Sequence, residues 1–172
     1  MKNIFIGFIF IFLNFNITIG SSTISLMPSF IGYLLLIRGI TELSKETEFF
    51  MKVLPISKGA FIYSLIVFIL DLIGIRFRGI FDLILGLVYA MLHIYISYHI
   101  ILGISKLEKI TGKDLNSRNL LTYWKISAIC ICTTYLMISF VPMLSMMAIL
   151  INFCMVLLFL YGMYKCKNQY YM

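Results

Sequence analysis

The sequence predicts an all-α polytopic transmembrane helix bundle of six helices. Hydrophobic residues make up 62% of the chain, charged residues make up 12% and the mean hydropathy is +1.02. This balance excludes an ordinary soluble domain of this size. Apolar stretches close to the roughly 20 residues that a spanning helix needs follow one another along the chain. Their connections are alternately rich and poor in basic residues, which is typical of a multi-pass topology.

The six predicted helices use most of the 172 residues. We therefore expect a single integral membrane domain covering residues 1–172. The helices are predicted at 3–20, 26–43, 59–75, 79–105, 119–140 and 142–164.

The first two helices carry the least regular sequence. The first could be a cleaved signal peptide ending near Thr18 and Gly20, but threonine suits that cleavage position poorly and removal would break the even helix count. We interpret it as an uncleaved helix. The second helix begins at Pro28 and contains Arg38, which can snorkel to the inner interface and meet Glu42. It is interpreted as a span, with a short, tilted or re-entrant segment as the alternative.

Connections between the later helices carry recognisable boundary signals. Residues 42–54 mix charges with large apolar side chains, which fits either a helix lying on the inner membrane surface or an ordinary polar connection. Gly112 predicts a helix end and Ser117 a helix start, followed by Trp124 as an anchor at the water boundary. Pro142 separates the last two helices.

Basic residues determine the predicted orientation. Under this topology twelve of the fourteen lysines and arginines lie on one side, which predicts cytoplasmic N- and C-termini in a cell membrane. Five acidic residues share that side, so the cytoplasmic face carries +7 and the outer face is neutral. Anionic lipid headgroups are the expected partner of this charge, and nucleic acid is not expected.

Part of the chain shows a resemblance. The run Met27-Pro-Ser-Phe-Ile-Gly-Tyr33, followed by Glu42-Leu43, Phe49-Phe50 and Trp124, resembles small multi-pass bacterial membrane proteins that are uncharacterised. The composition, rich in isoleucine and poor in alanine, also fits an AT-rich bacterial genome. The resemblance implies the six-helix architecture and no activity.

The outer hairpin between the third and fourth helices carries four charges. Asp71 and Asp82 flank Arg76 and Arg78, each aspartate lying about one turn inside a helix end. Charge near the bilayer core is costly and calls for a partner. The hairpin is therefore either locked by two ion pairs or forms a polar mouth that binds an ion or small solute.

A stripe of small and polar residues follows the fourth helix. Asp82, Gly86, Ala90, His93 and Ser97 are spaced by three or four residues, so they share one helix face. The small residues favour close helix packing, and we expect the stripe to face the bundle interior. His93 is then either a packed polar residue or a station in a proton or substrate path.

Asn152, near the middle of the sixth helix, completes the candidate polar cavity or packing seam. Its six members are Asp71, Arg76, Arg78, Asp82, His93 and Asn152.

Signs of catalysis are weak. No catalytic residue, cofactor or metal site is predicted, because the two histidines have no cysteine near them in sequence and the phosphate-loop, zincin and hydrolase motifs are missing. The four cysteines suggest no disulfide framework. An intramembrane hydrolase or transferase using His93 with Cys154 or Asp82 is the third functional hypothesis.

The leading hypothesis is a non-enzymatic six-helix membrane protein, either an accessory subunit or a small membrane factor whose partner is another protein, for example another membrane protein. The runner-up is a solute-binding or transport component resembling the six-helix substrate-binding subunits of bacterial vitamin importers. That group's alanine-based coupling motif is missing from the first helix of this chain.

Overall fold

The computed structural model describes residues 1–13, 16–19, 22–25, 28–75, 79–140 and 142–172, and it confirms the all-α fold with six helices. The chain forms two compact units, Met1–Leu92 and His93–Met172. The elements in chain order are α1 Lys2–Phe12, β1 Asn16–Ile19, β2 Ser22–Ser25, α2 Ser29–Leu43, a 3₁₀ helix Glu48–Lys52, α3 Leu54–Leu72, α4 Ile80–Thr111, α5 Ser117–Phe140 and α6 Pro142–Tyr171.

The first helix differs most from its prediction. It ends at Phe12 instead of residue 20 and continues into an antiparallel hairpin in which Asn16 is paired with Ser25 and Ile19 with Ser22. Asparagine, serine and threonine in this stretch compete with helical hydrogen bonds, and β-branched residues favour strands. With 11 residues, α1 is only about 16 Å long, well short of the roughly 30 Å hydrocarbon core.

The later boundaries agree more closely. Gly112 has a φ of 68° and ends α4, and Ser117 begins α5, as predicted. Helix α4 continues six residues beyond the predicted end because Lys106 and Glu108 can extend a helix outside the apolar segment. Of the predicted connection over 42–54, residues 42–43 end α2 and residue 54 begins α3, and between them lies a short 3₁₀ helix, capped by Thr47 and anchored by the buried Phe50.

Glycines allow α1 and α2 to pack very closely within the first unit. A Cβ atom on Gly7 would lie 2.8 Å from the carbonyl oxygen of Gly32, and one on Gly32 would lie 2.8 Å from that of Gly7. Further along the pair, a Cβ on Gly39 would lie 2.9 Å from the backbone nitrogen of Ile4. The two antiparallel helices thus touch through their backbones, as small residues permit in membrane proteins.

Helix α3 packs on α2 through small polar residues. Its buried residues are Ser57, Ala60 and Ser64, which share one face. Phe30 of α2 adds ring contacts with Phe61 and Phe68, at centroid separations of 6.4 and 5.1 Å.

In the second unit, α5 and α6 form an antiparallel pair. Thr134 approaches Ala148, and a Cβ on Gly162 would lie 3.0 Å from the ring of Tyr123 and 3.2 Å from Leu120. On α5, Leu120 and Thr134 are fourteen residues apart, as are Ala148 and Gly162 on α6. A seam repeating every seven residues is typical of helices that cross at a shallow angle.

Four helices of the described chain are long and apolar enough to cross a membrane. We therefore describe the protein as a membrane protein. The candidate spans are Leu54–Leu72, Leu83–Thr111, Ser117–Ile138 and Met146–Tyr171.

Candidate functional site

The predicted charged hairpin is described only in part. Asp71 lies in the last turn of α3 and is exposed. Arg76 and Arg78 lie outside the described residues, and Asp82 lies in α4 with its side chain undescribed. The two predicted ion pairs therefore stay predictions. Within the described part of the chain, no hydrogen bond or ion pair engages the Asp71 carboxylate.

His93 and Asn152 belong to the second unit. His93 is 7% exposed, and Ser97, on the same face of α4, is 1% exposed. Asn152 is partly buried, and its amide oxygen is enclosed without a hydrogen-bond partner among the described residues. Enclosed polar atoms of this kind are unusual and often mark a functional or interaction position.

Ser97 connects α4 to α5 through a hydrogen bond that the sequence did not reveal. The indole Nε1 of Trp124 donates to Ser97 Oγ at 2.8 Å. The Ser97 hydroxyl itself donates to the carbonyl oxygen of His93 at 2.7 Å. Because its hydroxyl both donates and accepts a hydrogen bond, Ser97 acts as a joint between the two helices and has no free donor to offer a ligand.

Aromatic residues close in sequence to Ser97 and Trp124 also contact one another. Tyr98 stacks on Trp124 with centroids 4.8 Å apart, and Tyr95 packs on His99 at 4.1 Å. The Nδ1 atom of His99 lies 2.9 Å from the carbonyl oxygen of Tyr95, which requires a proton on Nδ1. Trp124 was predicted only as a boundary anchor. In the structure it also joins α4 to α5 within the second unit.

A tyrosine group in the first unit was likewise not predicted. The hydroxyl of Tyr63 donates to the carbonyl oxygen of Leu85 at 2.8 Å, which joins α3 to α4. The hydroxyl of Tyr89 donates to the carbonyl oxygen of Ile11 at 3.4 Å, which joins α4 to α1. Tyr33 meets Tyr89 edge-to-face with centroids 6.3 Å apart. In sequence these tyrosines look like ordinary apolar positions, so only the helix packing reveals the group.

The connection between α4 and α5 is held by side chains from both helices. The Glu108 carboxylate accepts from the backbone N–H of Ser117 at 3.0 Å, at the start of α5. A carboxylate at a helix N-terminus satisfies an otherwise unpaired N–H and favours the helix dipole. Lys113 in the same connection donates to the carbonyl oxygen of Tyr170 at 3.3 Å, so the end of α6 is tied to it as well.

Neither the metal-ligating side chains among the described residues nor similarity to known proteins indicates a chemical activity. Among the described residues, no group of three or more histidine, cysteine, aspartate or glutamate side chains is placed to hold a metal ion. No protein family, curated protein or solved structure matches this chain. Fold and composition define the class: an all-α membrane protein with four helices of membrane-spanning length.

Proposed function

We propose that this protein is a non-enzymatic, multi-pass component of the cell membrane that acts by binding another membrane protein. The observation that carries the proposal is the C-terminal half of α3, which exposes large apolar residues and, in its last turn, the carboxylate of Asp71.

The C-terminal half of α3 has fewer buried residues than its N-terminal half. The buried residues of this helix, Ser57, Ala60 and Ser64, all belong to the first eleven positions. Beyond Ser64 the helix exposes three large apolar residues, Ile66, Ile69 and Leu72. Only 17% of the span is buried inside the structure, so most of its lateral surface is open to lipid or to a partner helix.

Because of the Asp71 carboxylate, covering this surface with lipid alone is energetically unfavourable. A carboxylate near the edge of the hydrocarbon region is costly unless it is paired or reaches water. A partner helix that carries a lysine, arginine or amide side chain near its outer end would pair the carboxylate and cover Leu72, the exposed apolar residue next to it. This is the chemistry that we assign to the partner.

Photocrosslinking from Leu72 tests this partner, because Leu72 is exposed and next to Asp71. With a photoreactive amino acid at residue 72 of the full-length protein in native membranes, we expect one dominant protein product. Charge reversal by Asp71→Lys should reduce its yield several-fold because the carboxylate pairs with a cation or amide, whereas Asp71→Glu should retain it. Mass measurement of the crosslinked product is the readout.

The matched control places the crosslinker at Ile129 of α5, an apolar site in the other unit whose exposure is similar to that of Leu72. Its product pattern should not respond to Asp71→Lys. Products containing only lipid, or a protein product at residue 72 that is insensitive to charge reversal, would contradict the proposal.

Cytoplasmic N- and C-termini are part of the proposal. The support is the count of basic residues, together with a concentration of lysines around the end of α6. There Lys167 lies over the ring of Tyr164 at 4.6 Å, and Lys113 binds the carbonyl oxygen of Tyr170. Cations beside interfacial aromatic rings suit anionic lipid headgroups.

Thiol labelling on intact cells tests the orientation. In a background with all four native cysteines changed to serine, Ile73→Cys at the end of α3 should react with a membrane-impermeant maleimide from outside, because the proposed topology exposes that end. Lys109→Cys in the last turn of α4 should react only after the membrane is permeabilised. The reverse pattern would show that the orientation is wrong.

A further inference from the structure

A groove opens between α5 and α6 in the half of the helix pair next to residues 140–142. Its cavity volume is about 270 Å³. Each helix contributes four residues with the same spacing, so one face of each helix forms one wall. The walls are Cys130, Thr133, Thr134 and Met137 on α5, and Leu144, Met147, Ala148 and Ile151 on α6.

The groove offers almost no polar group to an occupant. Thr133 donates its hydroxyl to the carbonyl oxygen of Ile129 at 2.9 Å. Thr134 donates to the carbonyl oxygen of Cys130 at 2.8 Å and also lies 3.4 Å from that of Ala148. With both hydroxyl hydrogens turned back onto backbone carbonyls, the lining presents methyl, methylene and sulfur atoms. Such a surface suits hydrocarbon and has no feature that would bind a polar solute.

The dimensions and direction of the groove restrict which kind of molecule can occupy it. Each wall runs from one residue to the seventh after it, so the groove follows the helix axes for about 10 Å. With a cavity volume of about 270 Å³, the mean cross-section is about 26 Å², against roughly 80 Å² or more for a helix of 10–12 Å diameter. A single hydrocarbon chain fits this width, and an α-helix does not.

We infer that the groove between α5 and α6 is a binding site for one acyl chain of a membrane phospholipid. Both walls belong to membrane-spanning segments, so the chain enters sideways from the bilayer and lies parallel to the helix axes. Methionine side chains at Met137 and Met147 are flexible and polarisable, and they can adapt to a chain without a fixed shape.

Two pairs of variants test the site in the full-length protein, reconstituted in nanodiscs of phosphatidylethanolamine and phosphatidylglycerol. Ala148→Phe and Cys130→Phe fill the groove from opposite walls. Leu150→Phe and Cys132→Phe place a phenylalanine at exposed positions of the same two helices outside it, and Cys132→Phe is the same chemical change as Cys130→Phe. The probe is phosphatidylethanolamine with a photoactivatable group on its acyl chain, and the labelled residues are mapped by mass spectrometry. We expect both filling variants to lose most of the labelling at the eight residues that line the groove, and both control variants to retain it.

The wild-type protein provides a second measurement that does not depend on variants folding. As the fraction of probe lipid rises, labelling inside the groove should saturate at one lipid per protein, while labelling of exposed Leu150 should continue to rise. A linear rise at both places would overturn the inference, as would unchanged labelling in both filling variants. Crosslinks between two protein copies at groove residues would also overturn it, because a second copy would then occupy the groove.

Discussion

Replacing Gly32 with alanine is expected to lower the free energy of unfolding by about 1–3 kcal/mol, the usual range for overpacking a close contact. The added Cβ would lie 2.8 Å from the carbonyl oxygen of Gly7 and 2.7 Å from the side chain of Ile11. The oxygen belongs to the backbone of α1, so relief requires the two helices to separate. Thermal or detergent-induced unfolding of the purified protein measures the change.

Gly59→Ala is the matched control because it is the same chemical change with the opposite expected sign. Gly59 lies inside α3, it is exposed, and a Cβ there meets nothing within 4 Å. Alanine is favoured over glycine in a helix by about 1 kcal/mol, so this variant should be as stable as the wild type or more stable. Equal effects of the two substitutions would show that α1 and α2 are not in backbone contact at Gly32.

The helices could be predicted from the sequence because hydropathy and helix-ending residues are local signals. Gly112 and Pro142 mark boundaries that the structure reproduces. The end of α1 was misplaced because the stretch after Phe12 is as apolar as a helix on average, and the competition from its polar and β-branched residues depends on their order. Local signals also do not say that Gly7 faces Gly32.

Fewer features of the candidate site could be predicted from the sequence. Spacing placed Ala90, His93 and Ser97 on one helix face, and the structure buries all three. Nothing in the spacing says which residue of α5 meets Ser97, because that depends on the rotation of α5 about its axis.

The groove between α5 and α6 was also not predicted from the sequence, for a similar reason. It depends on how the facing side chains of α5 and α6 pack against each other, and that packing leaves no trace in the hydropathy of either helix.

Trp124→Ala is expected to lower the free energy of unfolding by about 2–3 kcal/mol, somewhat less than the roughly 3–5 kcal/mol typical of a fully buried tryptophan. The side chain is only partly buried, but it stacks on Tyr98 and donates to Ser97. Trp124→Phe keeps most of the stacking area and loses the hydrogen bond, so its cost should be about 1 kcal/mol. Unfolding in detergent, followed by circular dichroism, measures both variants.

A double-mutant cycle separates the hydrogen bond from general packing. Ser97→Ala removes the acceptor at 2.8 Å and leaves the indole N–H without its partner, which should cost about 1–2 kcal/mol. Once Trp124 is already phenylalanine, Ser97→Ala should cost less, because no indole N–H is left to be orphaned. Trp124 is the only tryptophan in the chain, so its fluorescence in the wild type and in Ser97→Ala reports unfolding at this joint directly. Additive costs in the cycle would mean that the two side chains do not interact, and that the hydrogen bond between them does not contribute to holding α4 and α5 together.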